Sequence, residues 1–175
     1  MRVQALSVNK KHIITAAQFG GLLGIALIAP LFHFQPVTGP IVNAVLFLGV
    51  LFLGTQNAIL LGLLPSVIAL SAGLLPAPLA PMIPFIMLSN VLLIVVFAQL
   101  KNKNFALAII SASILKFLFL FSTSFVVVNL IAQKPIAQKA VGMLSWTQLV
   151  TALAGGLIAY IVFRIIKRSK DTTIT

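Results

Sequence analysis

Six long apolar stretches, roughly 13–32, 41–54, 57–74, 82–100, 105–131 and 143–167, are separated only by short polar or Pro/Gly segments. A bilayer core about 30 Å thick accepts about 20 apolar residues as one helix. Lipid-facing backbone must also satisfy its own hydrogen bonds, so each stretch reads as a helix. The expected fold is all-α: a polytopic membrane protein whose six-transmembrane-helix bundle spans 13–167, between a segment 1–12 and a tail 168–175. The second stretch is short for a span and is expected to tilt little or to continue into the neighbouring turn. Composition agrees, because 61% hydrophobic and 7% charged residues leave too little polar material to coat a water-facing surface, which in soluble domains takes about 25% charged residues.

The cations orient this bundle. With the N-terminus in the cytoplasm, Arg2, Lys10, Lys11, Lys101, Lys103, Arg164, Lys167, Arg168 and Lys170 lie inside, Lys134 and Lys139 lie outside, and Lys116 falls within a helix. That distribution satisfies the positive-inside rule. Six spans then place both termini in the cytoplasm. The net charge of +11 would otherwise suggest nucleic acid, but the basic side chains mark one membrane face, where they meet anionic lipid. No nucleic-acid partner is expected. Helix one lacks a small-x-small cleavage site and reads as retained rather than as a signal peptide.

The same counts exclude most chemistry. Asp171 is the only acidic residue, so there is no carboxylate pair for acid–base work, no Mg2+ or Ca2+ cage and no carboxylate proton relay. Without cysteine there is no thiolate, disulfide or Cys-type zinc site. His12 and His33 fall on opposite sides of the first span and cannot share a metal. Neither an enzyme nor a metal or organic cofactor is expected.

Eight prolines, Pro30, Pro36, Pro40, Pro76, Pro78, Pro81, Pro84 and Pro135, fall at or beyond the outer face, and only Pro65 lies inside a span. Proline fixes φ and lacks an N–H, so the outer connections HFQPVTGP, LLPAPLAPMIP and AQKPIAQK are expected to be stiff and non-helical around a shaped mouth. The inner connections GTQN and KNKN are expected to be tight turns. Helices simply ending at prolines is the plainer reading of any one of these segments.

Lys116 is the most informative residue. It sits mid-span, where an ammonium costs about 2.5 to 3.5 kcal/mol, and the membrane part contains no acid to pair with it. Ser113, Thr123 and Ser124 lie near it on a helical wheel and continue a polar stripe outward. The hydroxyls alone are what helix–helix hydrogen bonding requires; the lysine asks for a ligand carboxylate or phosphate, for backbone carbonyls, or for loss of its proton. Asn43, Asn90 and Gln148, on three other helices, are candidate hydrogen-bonding groups for one small ligand. Trp146 reads as an interfacial belt residue or as the aromatic wall of an outward pocket. His33 is a candidate for the mouth, or a solvated loop histidine. On helix one, Ala16, Gly20 and Gly24 are four apart with Ala17 and Gly21 alongside, a smooth face for close helix approach. Helix six has a similar set in Ala152, Gly155, Gly156 and Ala159.

Six helices in a chain of 175 residues, a basic cytoplasmic face, the small-residue spacing of helix one and the segment HFQPVTGPIVNA after it resemble the S components of energy-coupling factor (ECF) transporters. LLPAPLAPMIP adds to the resemblance, which covers essentially the whole chain. It implies a bacterial plasma-membrane subunit that captures a vitamin-like micronutrient in a pocket near the outer face. It implies gating by Gln35, Pro36, Val37, Thr38, Gly39 and Pro40, and docking through Ala16, Ala17, Gly20, Gly21 and Gly24 onto an ECF transmembrane coupling subunit that carries two cytoplasmic ATPase subunits. The Met and His motif of the metal-importing branch is absent from MRVQALSVNKKH. The expected ligand is a small, anionic organic molecule, with Lys116 as counter-charge. The competing class is a structural or scaffold subunit of a cell-envelope complex, in which Lys116 meets a partner's carboxylate. An enclosed outer cavity against Lys116 speaks for the first, a solidly packed outer half for the second.

Overall fold

The computed structural model describes residues 10–32, 34–71, 77–131 and 145–172. These form helices and short turns, without a strand. In chain order they are α1 (Lys10–Ile28), α2 (Gln35–Phe52), α3 (Thr55–Ser71), α4 (Ile83–Leu100), α5 (Phe105–Ile131) and α6 (Trp146–Thr172), with 3-10 segments Ala29–Phe32 and Ala77–Met82. Five of the resulting segments are long and apolar enough to cross a membrane. The exception is α3, whose apolar part runs only over Thr55–Ile68 and contains Pro65. At 1.5 Å per residue its full 17 residues reach about 26 Å, just short of a typical hydrocarbon core.

The connections at one end are the tight turns that GTQN and KNKN predict. Gly54 closes the first at φ +83°, where a Cβ would be strained. The Asn57 side chain donates to Leu53 O at 3.0 Å. In the second, Asn104 caps α5 by accepting from the Leu107 N–H at 3.0 Å, which satisfies one of the orphan donors of a helix start.

The opposite end corrects the sequence reading. Gln35, Pro36, Val37, Thr38, Gly39 and Pro40 are not a non-helical loop; they are the first turns of α2. Pro36 occupies the opening turn, where a missing N–H costs nothing because that donor has no intrahelical partner. Pro40 lies inside the helix, and packing keeps it there: Gly39 is buried so close to Thr151 of α6 that a Cβ would stand 2.7 Å from the Thr151 Cβ. Thr38 Oγ1 ties this start to the 3-10 segment that follows α1 by donating to Ala29 O at 3.0 Å. The part of LLPAPLAPMIP from Ala77 on is corrected in the same way, since Ala77–Met82 is 3-10 and Pro84 opens α4; its first three residues lie outside the described residues. Proline's fixed φ suits a helix start as well as it suits a break. AQKPIAQK lies outside the described residues, as does His33. The short second stretch, 41–54, therefore gains a turn and a half at its proline end. At the ends of the chain, α1 begins at Lys10 rather than 13, and α6 continues to Thr172 rather than ending at 167.

The core sits where α2 packs between α3, α4 and α6. Phe47, Phe97, Leu46, Leu61, Leu93 and Ile94 are fully buried. The rings of Phe47 and Phe97 meet edge to face at 4.8 Å, and Phe97 meets Phe105 in the same manner at 5.3 Å, an arrangement that aromatic quadrupoles favour. The small residues of α6 let it approach the bundle. A Cβ on Gly155 would lie 2.6 Å from Asn43 Cβ, and one on Gly156 would run into the Ile109 side chain. The small face of α1 is different in kind, since Gly20, Gly21 and Gly24 have nothing within 4 Å of a built Cβ.

Candidate functional site

Mid-helix positions on α2, α4 and α5 bring three of the sequence candidates together. Lys116 Nζ donates to Asn43 Oδ1 at 2.7 Å and to Asn90 Oδ1 at 2.8 Å. All three residues are buried, at 3%, 2% and 3% exposure. Both lengths lie within the range of well-formed N–H···O hydrogen bonds. Asn90 is itself oriented, because its Nδ2 donates to Gly62 O at 2.9 Å. Gly62 permits this approach: a Cβ there would lie 3.3 Å from Asn90 Cβ and 3.0 Å from Ile94 Cδ1. Four helices thus build one polar centre inside an otherwise apolar bundle.

Magnitudes explain why the lysine can stay. Placing an ammonium mid-bilayer costs about 2.5 to 3.5 kcal/mol, and a hydrogen bond to a charged group returns about 1.5 to 3 kcal/mol. Two such bonds offset the cost without any acid. Side-chain amides, a solution absent from the sequence reading, therefore solvate the lysine. They do not neutralise its charge, and among the described residues no carboxylate does. Ser113, one turn before Lys116 on the same helix, is fully buried and its hydroxyl has no partner among the described residues. An unpaired buried hydroxyl costs about 1 to 3 kcal/mol, which marks this side of Lys116 as polar capacity left unused.

The remaining candidates lie elsewhere. Thr123 is seven residues, about 10 Å, further along α5, and its hydroxyl donates to Phe119 O at 2.8 Å. Ser124 does the same to Phe121 O. The stripe is therefore interrupted, as the hydroxyls of Thr123 and Ser124 turn back to their own helix. Trp146 opens α6 and is 68% exposed, so it is not a wall around Lys116. Gln148 lies two residues further on, about 10 Å along α6 from Gly155, the residue that touches Asn43. Between Gln148 and the polar centre, Thr151 closes on Gly39. Among the described residues no set of three His, Cys, Asp or Glu could hold a metal.

Sequence reasoning missed three parts of this centre: Gly62 O as the anchor of Asn90, Gly155 as the point where α6 meets Asn43, and the amide oxygens as acceptors. The signal that could have found two of them is a glycine in the interior of an apolar helix, which has a packing reason more often than not. It also missed a groove at the basic end, where Tyr160 Oη accepts from Arg164 Nε at 2.9 Å. No family model, curated protein or solved structure matches this chain.

Proposed function

We propose that this chain is the substrate-capture subunit of an ECF-type importer of the bacterial plasma membrane, taking a small anionic organic ligand to the Lys116 centre. The observation that carries the reading is a buried lysine solvated by Asn43 and Asn90 but neutralised by nothing in the described bundle. In this reading the chain crosses the membrane six times with both termini in the cytoplasm. The gathering of Lys101, Lys103, Arg164, Lys167 and Arg168 at one end of the helices supports that orientation.

Mass spectrometry of small molecules retained by the purified protein tests the ligand. The wild type is expected to carry a carboxylate- or phosphate-bearing compound, and Lys116→Met to carry at least tenfold less, about the effect of losing one bond to a charged group. Equal retention by a folded Lys116→Met variant rejects the counter-charge role.

The docking face rests on α1. Ala16, Ala17, Gly20 and Gly21 are exposed there, and the glycine side is open, whereas the glycines of α6 are consumed by internal packing. Ala16→Leu with Gly20→Leu is expected to cost no more than about 0.5 kcal/mol in thermal unfolding. It should abolish co-purification of the coupling and ATPase subunits. Unimpaired co-purification would move docking to another face.

One observation favours the scaffold reading instead. The Lys116 centre is closed, with Gly39 against Thr151 and Gly155 against Asn43. For an importer this is the closed conformation; for a scaffold it is the only one. Ligand retained by the wild type separates the two.

A further inference from the structure

Independently of transport, the groove between the first turn of α5 and the last turns of α6 has a chemistry of its own. We propose that it holds an anionic phospholipid, with the phosphodiester on Arg164 and Lys167 and the apolar part over Phe105 and Phe163. The groove has a volume of about 740 Å³ and is lined by these residues together with Tyr160 and Arg168. Its cations recur on α6 at the three- and four-residue spacing that places them on one helix face.

Arg164 is pre-set for an oxyanion. Its Nε–H is spent on Tyr160 Oη at 2.9 Å, and its guanidinium carbon stands 5.3 Å from the centre of the Tyr160 ring. The side chain is thereby held while its other N–H donors remain exposed to take a phosphate, which a planar guanidinium binds with two parallel bonds. The amino end of α5 adds partial positive charge from the helix dipole. The floor is aromatic: Phe105 and Phe163 are stacked at 13° with centroids 6.2 Å apart, and Phe105 lies 5.3 Å from Tyr160. A free phosphate has no use for such a floor, whereas a glycerol backbone and acyl chain do. Charge complementarity selects the anionic headgroup, because the chain has twelve Lys and Arg against one acid. Basic pockets between membrane helices bind anionic headgroups for these reasons.

Native mass spectrometry of the full chain in mild detergent, with phosphatidylglycerol or phosphatidylcholine added at equal concentration, tests the proposal. Wild-type protein is expected to retain one phosphatidylglycerol about tenfold more tightly than phosphatidylcholine, and Arg164→Gln with Lys167→Gln to weaken that retention about ten- to thirtyfold. Lys101→Gln with Lys103→Gln removes the same charge from the same end outside the groove and should change retention less than about threefold. Three results would overturn the proposal. They are equal retention of the two lipids, equal losses in the two double variants, which indicates bulk charge attraction, and displacement of phosphatidylglycerol by inorganic phosphate, which indicates a free-anion site.

Discussion

Gly155→Ala is expected to destabilise the bundle by about 3 kcal/mol, the upper part of the usual range for overpacking. A methyl group there would stand 2.6 Å from Asn43 Cβ, 2.7 Å from Pro40 O and 2.8 Å from Ala44 N. Two of those atoms are backbone, so no rotamer change relieves the clash and α2 itself must retreat. Replacing a helical glycine by alanine returns only about 1 kcal/mol of propensity. For a chain of this size the loss corresponds to roughly 6 to 12 °C in thermal unfolding. Gly20→Ala is the internal control: nothing lies within 4 Å of its Cβ, so it should be neutral or gain up to about 1 kcal/mol. Gly156→Ala should also destabilise, since its Cβ would run into Ile109 Cγ2, on a β-branched side chain that is stiff at χ1. If Gly155→Ala unfolded with the wild type, α2 and α6 would not pack as closely as described.

Asn43→Ala is expected to cost about 1.5 to 3 kcal/mol, the range for losing a hydrogen bond to a charged group. Lys116 would keep the bond to Asn90 Oδ1 at 2.8 Å. Lys116→Met should cost less. It strands two amide oxygens at about 1 to 3 kcal/mol each, but it also removes the cost of holding an ammonium in the bundle. The order of effects, Asn43→Ala worse than Lys116→Met, is the signature of a solvated charge. The double variant should be milder than the sum, with a coupling of about 0.5 to 3 kcal/mol. Chemical or thermal unfolding of the four proteins measures this directly. Additive effects would mean that the 2.7 Å contact contributes nothing.

Legibility differed by the kind of interaction. Asn43, Asn90 and Lys116 could be singled out in the sequence because a polar residue in an apolar run is costly wherever the helix ends up. Gln148 and Trp146 satisfied the same criterion less strictly, since both sit near a helix end where water or headgroups relieve the cost, and the structure leaves them apart from Lys116. The prolines of 35–40 misled for a related reason. A proline's local effect depends on its place in the helix, and that place was set by Gly39 meeting Thr151, a contact 112 residues away in the chain.

What the sequence determined by itself was the all-helical character of the described residues, the presence of helices long and apolar enough to cross a membrane, its basic end, and one lysine with no acid to answer it. These follow from composition and from periodicities within single segments, where each residue carries its own transfer cost. What only the tertiary structure decided was the answer to that lysine. Two amide oxygens, from α2 and α4, are brought to it because glycines at 62 and 155 let α3 and α6 close on those helices. A pair of short hydrogen bonds between residues 73 and 26 positions apart depends on how several helices pack together, and no single segment encodes it.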